Sequence, residues 1–195
     1  MPKKQVGFTV LELIVTMTIA AILLSVGIPS FINTILTNRL AGATNEMVSM
    51  LMYARAEGVK RNSPVIICRS SNGASCNNPA GGWEAGWIVF IDGNCSGTYD
   101  PAGAHPDTSG SCPGSAQPDQ IVNVHSAISG GLSITGSSSV ANDIRFSSIG
   151  INLEPMGTLT VKSASDTTNS NIRLLCIGVS GRSHLMPKGT STCPN

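Results

Sequence analysis

Near its N-terminus the chain reads Lys3-Lys4-Gln5-Val6-Gly7-Phe8-Thr9-Val10-Leu11-Glu12-Leu13. The two lysines precede an apolar run, residues 8–28, whose 21 residues carry Glu12 as their only charge. At about 1.5 Å of helical rise per residue, such a run is about 30 Å long and can cross the hydrocarbon core of a membrane. The positive-inside rule predicts that the lysines stay in the cytoplasm and that the rest of the chain faces outward.

An ordinary signal peptide or signal anchor is the alternative interpretation of this segment. A secretory signal peptide has a shorter apolar core, and its cleavage site follows that core. Here the candidate break, between Gly7 and Phe8, lies before the apolar run. A carboxylate inside a membrane span is costly and rare without a function. If Phe8 were the new N-terminus, Glu12 would lie one turn inside the helix, where the α-amine of a neighbouring subunit could neutralise it and fix the axial register.

Residues 3–13 resemble the cleavage and methylation motif of type IV pilins and type II secretion pseudopilins. The resemblance implies that a prepilin peptidase cuts after Gly7, removes a leader of residues 1–7 and methylates Phe8, and that Glu12 guides assembly. It also matches Pro29 to a proline common late in the apolar helix of this family. Because proline removes a backbone hydrogen bond, we expect a kink or a locally melted turn at Pro29.

The resemblance also implies partners and a location. The partners are other major and minor pilins, which pack through their N-terminal helices, and the assembly platform of the inner membrane. Before assembly the chain would cross the bacterial inner membrane once, with its head in the periplasm. After assembly it would lie in an extracellular pilus.

The helical pattern continues beyond the apolar run. Apolar residues recur in steps of four and three from residue 36 to residue 54, which predicts one apolar stripe. Pro64 disfavours helix at the residue before it. We therefore predict one N-terminal helix over residues 8–63, of which residues 8–28 span the membrane or form the filament core, followed by a globular head over residues 64–195.

The head favours strands. It is rich in Gly, Ser, Thr and Asn and poor in charge. Its short β-rich runs are residues 65–69, 87–91, 121–124, 144–146, 158–161 and 172–177. A long helix followed by six to eight strands predicts an α+β fold with one antiparallel sheet or two, packed as a β-sandwich head on the helix. Residues 53–59 and 86–92 resemble the GspH/FimT-type group, which implies a pilin fold and a low-abundance subunit that starts or caps a filament.

The six cysteines all follow the apolar segment. The chain has no C-x-x-C pair and its histidines are not spaced around the cysteines, so a zinc site is a poor explanation. Scattered cysteines behind a membrane-targeting segment indicate disulfides in an oxidising compartment. The sequence leaves the pairing open, and the simplest hypothesis joins neighbours: Cys68–Cys76, Cys95–Cys112 and Cys176–Cys193.

Catalytic motifs are absent from the sequence, which has no G-x-S-x-G, no H-E-x-x-H and no phosphate-binding loop. We therefore expect no enzymatic activity, no cofactor and no metal. Residues 92–120 form a long loop whose aspartates lack the spacing of an EF-hand, and we expect them to be solvated turn residues: Asp92, Asp100, Asp107 and Asp119.

Nucleic-acid binding has limited support. The chain carries 12 basic and 11 acidic residues and so has no strong field to steer DNA. After Asp166 no acids remain, and the candidate DNA-binding residues are Arg173, Arg182, His184 and Lys188. DNA-uptake members of the resembling group carry Gly-Arg-x-Arg, whereas this chain reads Gly181-Arg182-Ser183-His184. A solvated turn is the favoured interpretation, because so few charges supply little affinity at physiological salt.

The sequence as a whole predicts a minor type IV pilin, a structural subunit that primes or caps a pilus used in adhesion, twitching motility or DNA uptake. Two alternatives stay open: a DNA-binding minor pilin for natural transformation, and a minor pseudopilin of a type II secretion system.

Overall fold

The computed structural model describes residues 7–102, 117–167, 171–187, 190 and 192–193 of the 195-residue chain. Within these ranges one long helix precedes two antiparallel sheets. The helix is α1 (Val10–Arg61), and the strands are β1 (Val65–Arg69), β2 (Trp87–Ile91), β3 (Gln120–His125), β4 (Leu132–Gly136), β5 (Asp143–Phe146), β6 (Gly157–Ser163), β7 (Arg173–Ile177) and β8 (Ser183–Leu185).

The chain divides into two compact units, residues 1–38 and residues 39–195. The described part of the first unit is the apolar half of α1, which is long and apolar enough to cross a membrane by length and composition. Three of its hydroxyl groups donate within the helix: Thr16, Thr18 and Ser25 each form a hydrogen bond to the carbonyl three residues before. The helix continues without interruption through Pro29. The expected locally melted turn is therefore wrong, because proline removes one hydrogen bond while the turns on both sides keep theirs. The alternative, a kink at Pro29, stays a prediction.

The second unit contains the end of α1 and the sheets. The predicted apolar stripe of α1 is confirmed in this unit, where its members are buried: Leu40, Ala43, Met47, Met50 and Ala54. Thr44 is buried on the same side and donates its hydroxyl hydrogen to the Leu40 carbonyl. The stretch of α1 from Leu40 to Ala54 therefore belongs to the core of the head.

One sheet has the order β3-β2-β1-β5 and the other the order β4-β6-β7-β8. Every residue of β2 is buried, and in β1 only Arg69 is not fully buried. These two apolar runs are the central strands of their sheet, and their bounds are those predicted. The prediction missed two strands. Strand β4 pairs with β6 on one side, and on its other side the Ile134 N–H donates to Glu84 Oε2 at 2.7 Å. Strand β8 has only three residues.

Disulfides tie loops to the sheets. The predicted bonds Cys68–Cys76 and Cys176–Cys193 are present. The first joins β1 to the segment that follows it, and the second joins β7 to Cys193 near the end of the chain. Cys95 is also disulfide-bonded. Its predicted partner, Cys112, lies outside the described residues, so the pairing Cys95–Cys112 stays a prediction.

The aspartates of the loop that follows β2 are not solvated, and that prediction is wrong for Asp92, Asp100 and Asp119, which are buried. The carboxylate of Asp92 accepts N–H bonds from Ser96 at 3.0 Å and Gly97 at 2.9 Å. That of Asp119 accepts them from Gly93 at 3.0 Å and Asp100 at 2.7 Å. Loop N–H groups lack a strand partner and need another acceptor once buried, and these carboxylates supply it. Asp107 lies outside the described residues.

Candidate assembly site

The start of α1 is organised by Thr9. Its side-chain Oγ1 accepts the N–H of Glu12 at 3.2 Å, and its carbonyl accepts the N–H of Leu13 at 3.2 Å. Thr9 is therefore the N-cap, and Glu12 occupies the third helical position of a T-x-x-E capping box. Gly7 and Phe8 precede the helix and have no regular secondary structure. The predicted cleavage point thus lies in exposed, non-helical backbone; the rest of the predicted leader lies outside the described residues.

Glu12 is exposed in the first turn of α1. A negative charge there is favoured by the positive end of the helix dipole. Among the described residues, Glu12 has no ion-pair partner. The side chains around it are apolar and exposed, with Phe8 82% exposed. This arrangement can pack against lipid or against other apolar helices, and its one carboxylate is available to a cation from outside the chain.

The candidate DNA-binding residues do not form one cluster. Strand β7 pairs with β8 so that Cys176 faces His184 and Leu175 faces Leu185. Because side chains alternate along a strand, Arg173 lies on the face of Leu175 and His184 on the opposite face. Arg182 is exposed in the turn before β8, and Lys188 lies outside the described residues. DNA binding by this segment stays a prediction.

Gly181, the residue directly before Arg182, lies against Arg55 of α1, which the sequence analysis did not single out. A Cβ atom placed on Gly181 would lie 3.4 Å from Arg55 Nε. The turn before β8 therefore packs on the helix. No spacing in the sequence could have indicated this contact, because it joins a helix to a turn near the other end of the chain.

A groove of ≈ 400 Å³ lies between α1 and the outer strand β3. His125 forms part of its wall. Its ring stacks on Trp87, and its Nε2 lies 3.5 Å from Glu46 Oε2. Tyr53 donates its hydroxyl hydrogen to the carbonyl of Val122 at 3.2 Å and so covers part of the edge of β3. Across the described residues, no three His, Cys, Asp or Glu side chains are grouped so that they could hold a metal ion.

Two protein families match different parts of the chain. Residues 43–181 match the family of type II transport protein GspH, and residues 2–28 match the prokaryotic N-terminal methylation motif. The first match covers more than half of the chain. No curated protein sequence matches.

Two solved structures are similar to this chain. The type IV minor pilin FimU of Pseudomonas aeruginosa is similar at a TM-score of 0.54 and 20% identity, over 78% of this chain and 92% of FimU. The minor pseudopilin EpsH from the type 2 secretion system of Vibrio cholerae has a TM-score of 0.48 and 10% identity, over 78% of this chain and 99% of EpsH. The FimU likeness confirms the predicted fold class, a long N-terminal helix packed on antiparallel sheets.

Proposed function

The chain belongs to the family of type II transport protein GspH, and its role is that of a structural minor pilin or pseudopilin. From this membership we propose that it is a minor type IV pilin that primes the assembly of a pilus or caps it. The proposal assigns it a structural role and no catalytic one. The single observation that carries it is the N-terminal end of α1, which is exposed and apolar all round and contains one unpaired acid.

The apolar half of α1 cannot stay in water. Its large side chains are exposed without exception over the described residues from Phe8 to Ile32, and exposed apolar area of this extent is unfavourable in water. A helix that is hydrophobic all round must be surrounded by lipid or protein. Anchoring in the inner membrane before assembly, and burial among the helices of other pilins afterwards, both satisfy this requirement.

Glu12 restricts how neighbouring helices can pack along their axes. Leaving an uncompensated charge in an apolar interior is strongly unfavourable, so the carboxylate needs a cation at its own depth. The α-amine that cleavage after Gly7 would create on Phe8 of a neighbouring subunit is such a cation. Since Thr9 caps the helix, the amine would stand just outside the first turn. The pairing then favours one axial offset between neighbouring helices.

The proposed partners and location follow from this arrangement. A prepilin peptidase acts on Gly7 and Phe8, the inner-membrane assembly platform receives the processed chain, and other major and minor pilins pack against its helix. The head lies in the periplasm before assembly and outside the cell afterwards. The methylation motif supports the processing step.

The test uses the native chain recovered from cells. We expect mass spectrometry of its N-terminus to show N-methylated Phe8, and sheared pili to contain the chain at a low ratio to the major subunit. A chain that keeps residues 1–7 would refute the proposal. A processed chain that is absent from pili but required for protein secretion would assign it to a type II secretion system.

A further inference from the structure

An exposed apolar surface lies where the end of α1 meets two turns of the head. Val59, Ile149, Ile151 and Val179 form it, and we call these four residues the turn patch; their exposed fractions lie between 39% and 71%. They are brought together by contacts between the two turns and the helix. A Cβ on Gly150 would lie 3.0 Å from Val59 Cγ2, and the Asn152 N–H donates to the Val179 carbonyl at 2.9 Å. Contiguous exposed apolar residues often mark an interaction site.

The turn patch stands on a rigid base. Gly150 and Gly181 have φ angles of 78° and 72°, in the region that favours glycine. Each turn is closed by its own hydrogen bond of 2.9 Å, from Gly150 N–H to Ser147 and from Gly181 N–H to Gly178. A Cβ on Gly181 would collide with the carbonyl oxygen of Gly150, so the two turns touch through backbone alone. A surface ordered in advance loses little entropy when it binds.

Two arginines border the turn patch. Arg55 is half-buried beneath the turns, with its Nε 3.1 Å from a Cβ placed on Gly150. Arg182 is exposed directly after Gly181. Within the part of the chain that the structure describes, neither forms an ion pair, whereas Arg61 and Arg145 both do. Guanidinium groups form their strongest hydrogen bonds with carboxylates and phosphates, which are missing here.

The chemistry of the surface favours a different protein as its partner over DNA or a second copy of this chain. DNA binding depends on many phosphate contacts, and two cations among exposed aliphatic side chains supply few. A second copy would bring the same two arginines face to face across an isologous contact, which like charges oppose. A protein surface with an apolar side chain flanked by Asp or Glu complements both the turn patch and the arginines.

We infer that the turn patch, with Arg55 and Arg182, is the docking surface for the head of a different pilin subunit that presents an apolar side chain flanked by carboxylates. This inference rests on the proposed function, and it adds a head-to-head contact to the packing of N-terminal helices.

The test uses the full chain inside pili. A photoreactive benzoylphenylalanine replaces Val179 in cells, pili are sheared after irradiation, and the crosslinked residues are mapped by mass spectrometry. Val124, an exposed apolar residue on β3, carries the probe as a matched control. We expect position 179, and not position 124, to crosslink to the head of another pilin at an apolar residue next to Asp or Glu.

Charge variants complete the experiment. Arg55→Gln with Arg182→Gln should lower the crosslink yield at position 179 by about tenfold, since a loss of about 1.4 kcal/mol is typical of a truncated interface arginine. Arg173→Gln, which lies in β7, should leave the yield unchanged. An unchanged yield in the double variant would overturn the inference, as would crosslinks to a second copy of this chain. A gel shift of DNA by the chain tests the nucleic-acid alternative. If wild type retards DNA, the double variant does not, and position 179 gives no pilin crosslink, the surface binds nucleic acid instead.

The two proposals fail in distinguishable ways. If the chain is present in sheared pili but position 179 crosslinks to no other pilin, only the docking surface is refuted. If the chain is absent from pili in every preparation, the proposed function fails, and the docking surface fails with it.

Discussion

The imidazole ring of His125 stacks on the indole ring of Trp87, with ring centroids 4.0 Å apart and planes inclined by 9°. The two residues are register partners at the ends of β3 and β2. Because His125 Nε2 also lies 3.5 Å from Glu46, one side chain links the outer strand, its neighbour and α1. The contact closes one end of the sheet on the helix.

Replacing His125 by alanine should lower the free energy of unfolding by about 1 kcal/mol, because the stack is lost and water reaches the indole of Trp87. His125→Phe keeps a stacked ring and should lose less. Urea unfolding of the full chain in detergent, followed by tryptophan fluorescence, measures both. Asn123→Ala, an exposed change on the same strand, should stay within about 0.5 kcal/mol of wild type. Equal losses for the two His125 variants would show that ring stacking is not the source of the stability.

The charge of Glu12 and its place in the helix cap can be separated. Glu12→Gln keeps a residue that suits the third position of a capping box but removes the charge. We expect it to lower the share of the chain found in sheared pili, relative to the membrane pool, by at least about tenfold, which corresponds to about 1.4 kcal/mol of lost pairing. Glu12→Lys should abolish incorporation.

Thr9→Ala is the complementary variant, since it removes the cap and keeps the charge. It should destabilise the helix end by about 1 kcal/mol and reduce incorporation less than Glu12→Gln does. Immunoblots of the pilus and membrane fractions measure each variant. If Thr9→Ala were the more damaging change, the role of Glu12 would be to cap the helix rather than to pair with a cation.

Asp119 should make stability depend on pH. Burial is the main cause that raises the pKa of Asp119, from 3.8 to about 6. A raised carboxyl pKa means that the folded chain holds the proton more tightly than the unfolded chain does. The stabilising contribution is therefore present at low pH and lost as pH rises from about 4 to about 6. The free energy of unfolding of wild type relative to Asp119→Asn should fall across that interval, as measured by urea unfolding at each pH. A difference that rises with pH would contradict the assignment.

A comparison of Gly181 with Gly131 tests the close contact between the turns that contain Gly150 and Gly181. Both have positive φ angles, 72° and 67°, but a Cβ on Gly131 would meet nothing within 4 Å. Gly131→Ala should cost about 1 kcal/mol of stability from the left-handed backbone alone. Gly181→Ala should cost about 1–3 kcal/mol more, because the Gly150 carbonyl must move. Thermal unfolding of the two variants compares them directly. Equal losses would mean that the two turns do not depend on close backbone contact.

The sequence predicted the features that depend on neighbouring residues. The apolar runs Val65–Arg69 and Trp87–Ile91 have the composition of buried central strands, and both have the predicted bounds. The buried stripe on α1 follows from its helical period. The disulfides Cys68–Cys76 and Cys176–Cys193 join cysteines that are neighbours in the sequence. In each case local pattern and final structure agree.

Features that depend on distant residues could not be predicted. Strand β4 pairs with β6 and donates an N–H to the Glu84 carboxylate. The contact of Arg55 with Gly181 joins a helix to a late turn. The burial of Asp119 depends on N–H groups of Gly93 and Asp100, which lie across the loop. Aspartate in a Gly-rich loop is usually a turn residue, and the tertiary structure overrides that expectation here. The surface beside Arg182 depends on contacts of this distant kind.

The hydroxyl groups of Thr16, Thr18 and Ser25 have a consequence for how the subunit leaves the membrane. Each already donates its hydrogen to a carbonyl of its own helix, so these donors need no new acceptor when the surroundings of the helix change. Transfer from acyl chains to the interior of a fibre then exchanges one anhydrous medium for another. Over residues 8–28 Glu12 is the only charged side chain, so it is the group whose pairing decides where the helix settles.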